Sequence, residues 1–188
     1  MLNAQTLRDH LPSPLADLLP AATLTPQQLS QEWRQSSQAF LPQRRKVAGC
    51  SLLAAGAMGV IALYQMGIIP HLPEPPLPFL NADKVDASAE AYSRFATPDA
   101  ALGVTSYAVT LLLAAMGSAD RATTQPALPL ALAAKMLFDV AQAGRLTVDQ
   151  WTKQRAFCFW CLVAAGATFV SAPAVFPETR AAWQTIRR

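Results

Sequence analysis

The residues best suited to chemistry in this 188-residue chain are Cys158 and Cys161, which bracket the sequence Cys158-Phe159-Trp160-Cys161. A spacing of three places both sulfurs on one helical face, one turn apart. Such a pair can close a strained, exchangeable disulfide. It opens an apolar run over 156–176, and Arg155 stands just before it. A helix N-terminus and that arginine together set positive potential on the outer sulfur. On this reading Cys158 is the more exposed thiol and exchanges with an incoming thiol or disulfide. Cys161 lies one turn deeper, within reach of a lipid-soluble oxidant, and Phe157, Phe159 and Trp160 are placed to pack on a flat ring. The alternative is inert packing of the two thiols in a membrane helix.

Other cysteine chemistries fit less well. A c-type haem site needs histidine after the second cysteine, and Leu162 stands there. A zinc site needs two further ligands. The only other thiol is Cys50 and the only histidines are His10 and His71, so no metal is expected. Cys50 falls near the opposite end of a different apolar run and reads as a small buried residue rather than a redox partner.

The elements that must hold this pair are apolar. Charged residues make up 14 % of the chain and hydrophobic ones 52 %, against about 25 % charged in an ordinary soluble domain. The charge is unevenly spread, with a polar start and long uncharged windows. That excludes a disordered, collagenous or disulfide-dense secreted chain and points to a membrane protein. A net charge of +3 without a basic run excludes nucleic acid as a partner. The expected class is an all-α membrane protein, a four-transmembrane-helix bundle with an N-terminal cytoplasmic helical segment. The spans fall at about 47–69, 98–117, 127–144 and 156–176, within a membrane domain over 44–176. Residues 1–43 form the polar segment and 177–188 a cytoplasmic tail. The first span carries no charge and reaches about 34 Å at 1.5 Å per residue, enough to cross the hydrocarbon core. Arg44, Arg45 and Lys46 precede it and hold the N-terminus in the cytoplasm, with Arg180, Arg187 and Arg188 marking a return to that side. Gly56 and Gly59, with Ala55 and Ala62, offer a small surface for close helix packing.

In the polar segment, Asp9, His10 and two prolines occupy the place where a cleavable leader would have its apolar core. Thr25-Pro26-Gln27-Gln28 has the make-up of a capping box, and the helix it starts is expected to run to about Phe40, stopped by Pro42. That helix either lies on its own membrane domain or docks on another subunit. The first outer loop, 70–100, begins proline-rich and then predicts a short amphipathic helix over 83–96 with Val85, Tyr92 and Phe95 turned inward. Thr97-Pro98-Asp99 repeats the cap-plus-proline start. A second outer loop is expected over 145–155. Lys135 and Asp139, four apart in the third span, share a face and can pair. They form either a structural ion pair buried in the bundle or a proton route or partner contact.

The run Ala156-Phe157-Cys158-Phe159-Trp160-Cys161-Leu162 opening the last of four spans resembles the vitamin K epoxide reductase family. The large outer loop after the first span and Gly103 at the opening of the second support the likeness, which covers about 47–176. The resemblance implies a four-helix bundle around a quinone, ubiquinone or menaquinone, that couples quinone reduction to disulfide formation in thioredoxin-like partners. It implies that Cys158 exchanges with the shuttle thiols and Cys161 faces the quinone, and that Thr97 corresponds to a loop Ser/Thr near the ring. Two departures stand out. The family's second cysteine pair, in the first outer loop, has no counterpart in 70–100, and Ala165 stands where animal enzymes carry tyrosine. The implied protein is a multi-pass component of a bacterial inner membrane, surrounded by lipid. It is either a quinone-linked thiol–disulfide oxidoreductase acting at the periplasmic face or a non-catalytic subunit that packs against a larger respiratory or photosynthetic complex.

Overall fold

The computed structural model describes residues 25–38 and 40–188. The reading of the first residues, including the leader question, lies outside them. The described chain is helical, and three of its helices are long and apolar enough to cross a membrane. α1 is Pro26–Gln35, α2 Leu41–Gln65, α3 Ala82–Asp86, α4 Asp99–Ala115, α5 Arg121–Thr124, α6 Ala127–Asp149 and α7 Phe159–Ile186. A 3-10 turn, Ala89–Tyr92, follows α3, and a π-helical stretch, Gln150–Gln154, continues α6. The three membrane-length helices are α2, α6 with its π extension, and α7, whereas α4 is apolar but only 17 residues long.

α1 starts as its sequence dictates. Gln28 N donates to Thr25 Oγ1 at 3.3 Å, and Thr25 N donates back to Gln28 Oε1 at 2.8 Å. It ends at Gln35, short of Phe40. Pro42 is not its stop but lies in the first turn of α2, where a missing N–H leaves no bond unmade. Arg45 donates to the Glu32 and Trp33 carbonyls, tying the end of α1 to α2.

α2 therefore begins before the apolar run and draws the expected basic flank into the fold. Arg44 is 1 % exposed. Its guanidinium donates to the carbonyls of Ala114, Ala115, Met116, Gly117 and Ser118. Those carbonyls belong to the end of α4, where a helix has no partners of its own for them. Arg44 is thus a structural cap rather than a solvated flanking charge. Beside it Arg121, fully buried, pairs with Glu178 of α7 through Nε–Oε1 at 2.7 Å and Nη2–Oε2 at 2.8 Å.

Around the bundle, α2 packs against α4 and α7, and α6 packs against α7 and α4, so four long helices close a ring. Ala54 and Ala57 of α2 meet Ala164 and Ala167 of α7. Their i, i+3 spacing, extended by Ile61, sets the inward stripe of α2. It leaves Gly56 and Gly59 off the seam, where an added Cβ would touch nothing within 4 Å. The close approach is made instead by Gly103 of α4, where a Cβ would lie 2.7 Å from Met58 Sδ. Outward positions such as Leu52, Leu53, Leu137 and Val170 are apolar and exposed, as a lipid-facing surface requires.

Two loop expectations are corrected. The segment 145–155 is helical almost throughout and turns only at Arg155, whose φ of 52° ends the π stretch. The tail is also helical, because α7 continues through Pro173 and Pro177 to Ile186. The outer loop holds the short α3 and the 3-10 turn rather than one amphipathic helix. Val85 is buried, but Tyr92 is exposed and Phe95 is 88 % exposed. The left-handed φ values of Phe95 (56°) and Ala96 (49°) break the helix there.

Candidate redox site

The outer loop folds back over the end of the bundle as a roof, and its own side chains stitch it down. Asp83 accepts from Leu72 N at 2.8 Å and pairs with His71 Nδ1 at 2.7 Å. Glu74 Oε1 accepts from Ala82 N at 2.8 Å, and Asn81 caps α3 through Lys84 N at 2.9 Å. Two backbone bonds join the roof to the residue before the cysteine pair. Phe157 N donates to Phe79 O and Asn81 N donates to Phe157 O, both at 2.9 Å. This strap lies directly upstream of Cys158.

Cys158 is the N-cap of α7, not a residue within it. Its Sγ accepts from Cys161 N at 3.3 Å, and its own N–H donates to the buried Gln150 Oε1 at 2.9 Å. The thiols of Cys158, Cys161 and Cys50 are free. Cys158 is 0 % exposed, whereas Cys161 is half-buried. The expected order of exposure is therefore reversed. The roof, with Leu72, Ala82 and Val85, packs over Cys158 together with Ala156. Cys161, one turn on, faces a cavity.

That cavity has a volume of about 320 Å³ and lies between the four long helices and the roof. Met58, Ile61, Leu102 and Phe138 give it apolar walls. Cys161, Asp86, Asp99, Ser106 and Tyr107 supply polar groups. A partly open space whose surface is mostly apolar, with polar groups along its lining, suits a flat, lipid-soluble ring. Tyr107 is held by a 3.0 Å bond between its hydroxyl and Thr168 Oγ1. On the α6 wall, Asp139 is bonded to Thr110 Oγ1 at 2.7 Å and to Ser106 Oγ at 3.1 Å, and it pairs with Lys135 as the spacing requires.

The other expected ring contacts do not line the cavity. Phe157 precedes the helix and stacks on Trp151, with centroids 5.7 Å apart. Trp160 points to the roof and donates from Nε1 to Pro73 O at 2.8 Å, and Phe159 meets its edge. Thr97 turns its hydroxyl to the Phe95 carbonyl at 3.0 Å and does not cap α4, whose N-cap is Pro98. Cys50 packs with the Ala54–Ala164 seam, away from the roof.

The residue that sequence reasoning missed is Asp86, the last of α3. It is 3 % exposed. Its Oδ1 accepts from Cys161 Sγ at 3.7 Å, and its Oδ2 has no partner among the described residues. Burial pushes its carboxyl up from 3.8 to about 7. The neighbouring thiols of Cys158 and Cys161 oppose that shift, and the negative charges of Asp99 and Glu74 add to it. Gln65 of α2 links the two acids, donating to the Asp86 carbonyl at 3.2 Å and to Asp99 Oδ1 at 2.8 Å. No signal in sequence distinguished Asp86 from the other loop acids, because its burial is a property of the roof. The sulfurs of Cys158 and Cys161 and an Asp86 oxygen lie within 4.8 Å of one another. Three donors fall one short of the four that close a tetrahedral zinc site.

Comparison with known proteins places this geometry. No curated protein matches the sequence. Residues 46–176 match the profile of the Vitamin K epoxide reductase family, a span running from the first turns of α2 through the cysteine pair into α7. A membrane helix bundle with a Cys-x-x-Cys at a cavity mouth suits that family, whose members are in general quinone-linked thiol oxidoreductases of membranes. With most of its length so matched, the chain belongs to the Vitamin K epoxide reductase family.

Proposed function

We propose that the chain is a quinone-linked thiol–disulfide oxidoreductase of a bacterial inner membrane, acting at the periplasmic face. The observation that carries this reading is the asymmetry of the pair: Cys161 lines the cavity while Cys158 is sealed beneath the roof. Ubiquinone or menaquinone in the cavity would supply a two-electron, two-proton acceptor. Cys161 is the thiol that meets it, and Cys158 closes the disulfide onto Cys161. Gln150 and the helix cap hold Cys158 in place, and Tyr107, fixed by Thr168, helps shape the wall. A separate thioredoxin-like protein, the thiol donor, reaches Cys158 when the roof lifts.

Four spans with both ends in the cytoplasm fit this reading. At 17 residues α4 is about 26 Å long, at the lower limit for a crossing. Arg121 binds Glu178, and Arg44 binds the end of α4, so the start of α2 and the later part of α7 share one end of the bundle. Arg45, Lys46, Arg180, Arg187 and Arg188 belong to that end, and their charge supports a cytoplasmic placement of it.

The cysteine-free roof over a fully buried Cys158 favours the second reading, a non-catalytic subunit of a larger complex. One experiment separates the two. The reduced protein, purified in lipid without oxygen, is mixed with a short-chain ubiquinone or menaquinone analogue. The enzyme reading expects one quinol per chain and loss of both pair thiols, abolished by Cys161→Ser. A folded protein whose thiols survive the quinone overturns it and leaves the subunit reading.

A further inference from the structure

We propose that Asp86 is the proton carrier of the Cys158–Cys161 pair, taking the proton of the Cys161 thiol and releasing it into the cavity. The inference rests on the redox reading above and adds to it a residue from the cysteine-free loop. Its basis is geometric. Asp86 Oδ1 is the hydrogen-bond acceptor of the Cys161 thiol, and Asp86 itself borders the cavity that Cys161 faces. Its other oxygen, Oδ2, is buried and, like Glu74 Oε2 of the roof, unpartnered among the described residues, but Asp86 alone of the two also holds a thiol of the pair. A buried carboxylate oxygen without a donor is costly, and native folds rarely keep one without a use. A carboxyl with one oxygen on the donor thiol and one lone pair free is arranged to receive a proton and hand it on.

The groups around Asp86 agree with that role. From α7 it faces Cys158 and Cys161, from α4 Asp99, from α2 the neutral Gln65, and from the roof Glu74. Arg94 approaches Asp99 rather than Asp86. No cation is bound to the Asp86 carboxylate among the described residues, so nothing holds it permanently ionised. A carboxyl that titrates at about 7 is poised to exchange protons near neutral pH.

The step balances as follows. Two S–H bonds break and one S–S bond forms, releasing two electrons and two protons. Both electrons pass to the quinone, which takes up two protons to become quinol. The Cys161 proton travels through Asp86, which ends the cycle in its starting state. The Cys158 proton takes up the second position.

Two measurements on the whole protein in lipid test this, and the first needs no quinone. Difference infrared spectra are recorded between the thiol form and a disulfide form made with a small-molecule disulfide reagent. Closing the pair removes the thiol from Asp86 Oδ1, so the carboxyl band of Asp86 is expected to shift. Asp86→Asn is expected to erase that shift. The second measurement is the pH profile of thiol loss driven by a ubiquinone analogue. The native rate is expected to rise through about pH 7 and level off. Asp86→Asn is expected to be about 100-fold slower on the plateau and to lose the inflection, with Asp86→Glu restoring it. A structural role alone would scale the rate at every pH and leave the profile in place. An unshifted carboxyl band, or a native profile in Asp86→Asn, overturns the proposal. A shifted band in a protein that quinone does not oxidise defeats the quinone acceptor while keeping the Asp86–Cys161 link.

Discussion

The two ends of the bundle bury charge in opposite ways. Arg44 and Gln65 lie at the two ends of α2, about 32 Å apart along its axis. At the Arg44 end the two buried guanidinium groups are matched. Arg44 meets five carbonyls, and Arg121 meets both oxygens of Glu178 and the carbonyls of Leu113 and Met116. At the Gln65 end a carboxylate is buried with one oxygen unmatched, against a thiol and a cavity. Buried polar groups of equal depth thus divide into those that fix the helices and those left free to react. Satisfaction of their bonding capacity, more than burial, marks the difference.

The comparison can be broken most sharply at its satisfied end. Arg121→Ala strands Glu178 without its partner and is expected to destabilise the fold by about 3–5 kcal/mol. Thermal or denaturant unfolding in a fixed lipid mixture measures it. Below the new melting range, the pair's reaction with quinone should keep its native pH profile. A loss under about 1 kcal/mol would show that the matched end does not carry the fold.

Midway along the bundle, Lys135 and Asp139 give the next largest effect. Asp139→Ala leaves Lys135 with only the Ser106 and Thr110 hydroxyls and is expected to cost about 3 kcal/mol. Lys135→Met with Asp139→Leu should cost under about 1 kcal/mol, since no charge is stranded. Equal losses for the single and double variants would show that the two do not act as a pair.

At the unsatisfied end the sign inverts. The Asp86 carboxyl sits at about 7 in the folded chain, against 3.8 ordinarily. Between those values the folded state holds a proton that the unfolded chain has released. Stability from this group is therefore full below the lower value and falls as pH rises through the upper one. Asp86→Asn should flatten that fall and stabilise the protein by about 1–2 kcal/mol at about pH 8. Unfolding midpoints across that range measure it. A destabilised variant would mean that Oδ2 has a partner and that the contrast between the ends is false.

The sequence made the reactive pair and its helices legible because those signals are local. A Cys-x-x-Cys at the start of an apolar run, uncharged windows of membrane length, and Thr25 with Gln28 can each be read within a few residues. What escaped was set by contacts between distant segments. Arg44 reads as a membrane flank until α4 presents its free carbonyls. Phe157 and Trp160 read as ring contacts until the strap to Phe79 and Asn81 turns the chain before Phe159, and Thr97 until its hydroxyl turns to the Phe95 carbonyl. Gly56 and Gly59 read as a seam until the rotation of α2 is known. Asp86 looks like any loop acid because its character comes from the roof that covers it.

The Cys158 cap joins chemistry to mechanics. The sulfur that gives up electrons is also the acceptor on which the first turn of α7 hangs, through Cys161 N. Tying that sulfur into a disulfide re-aims its lone pairs and so bears directly on the bond from the Cys161 amide. One residue upstream, Phe157 is laced to the roof. The roof is thereby coupled to the oxidation state of the sulfur beneath it, like a latch whose catch and spring are one atom. A protein resting on that roof would feel, as a change of shape, whether the pair below is loaded or spent.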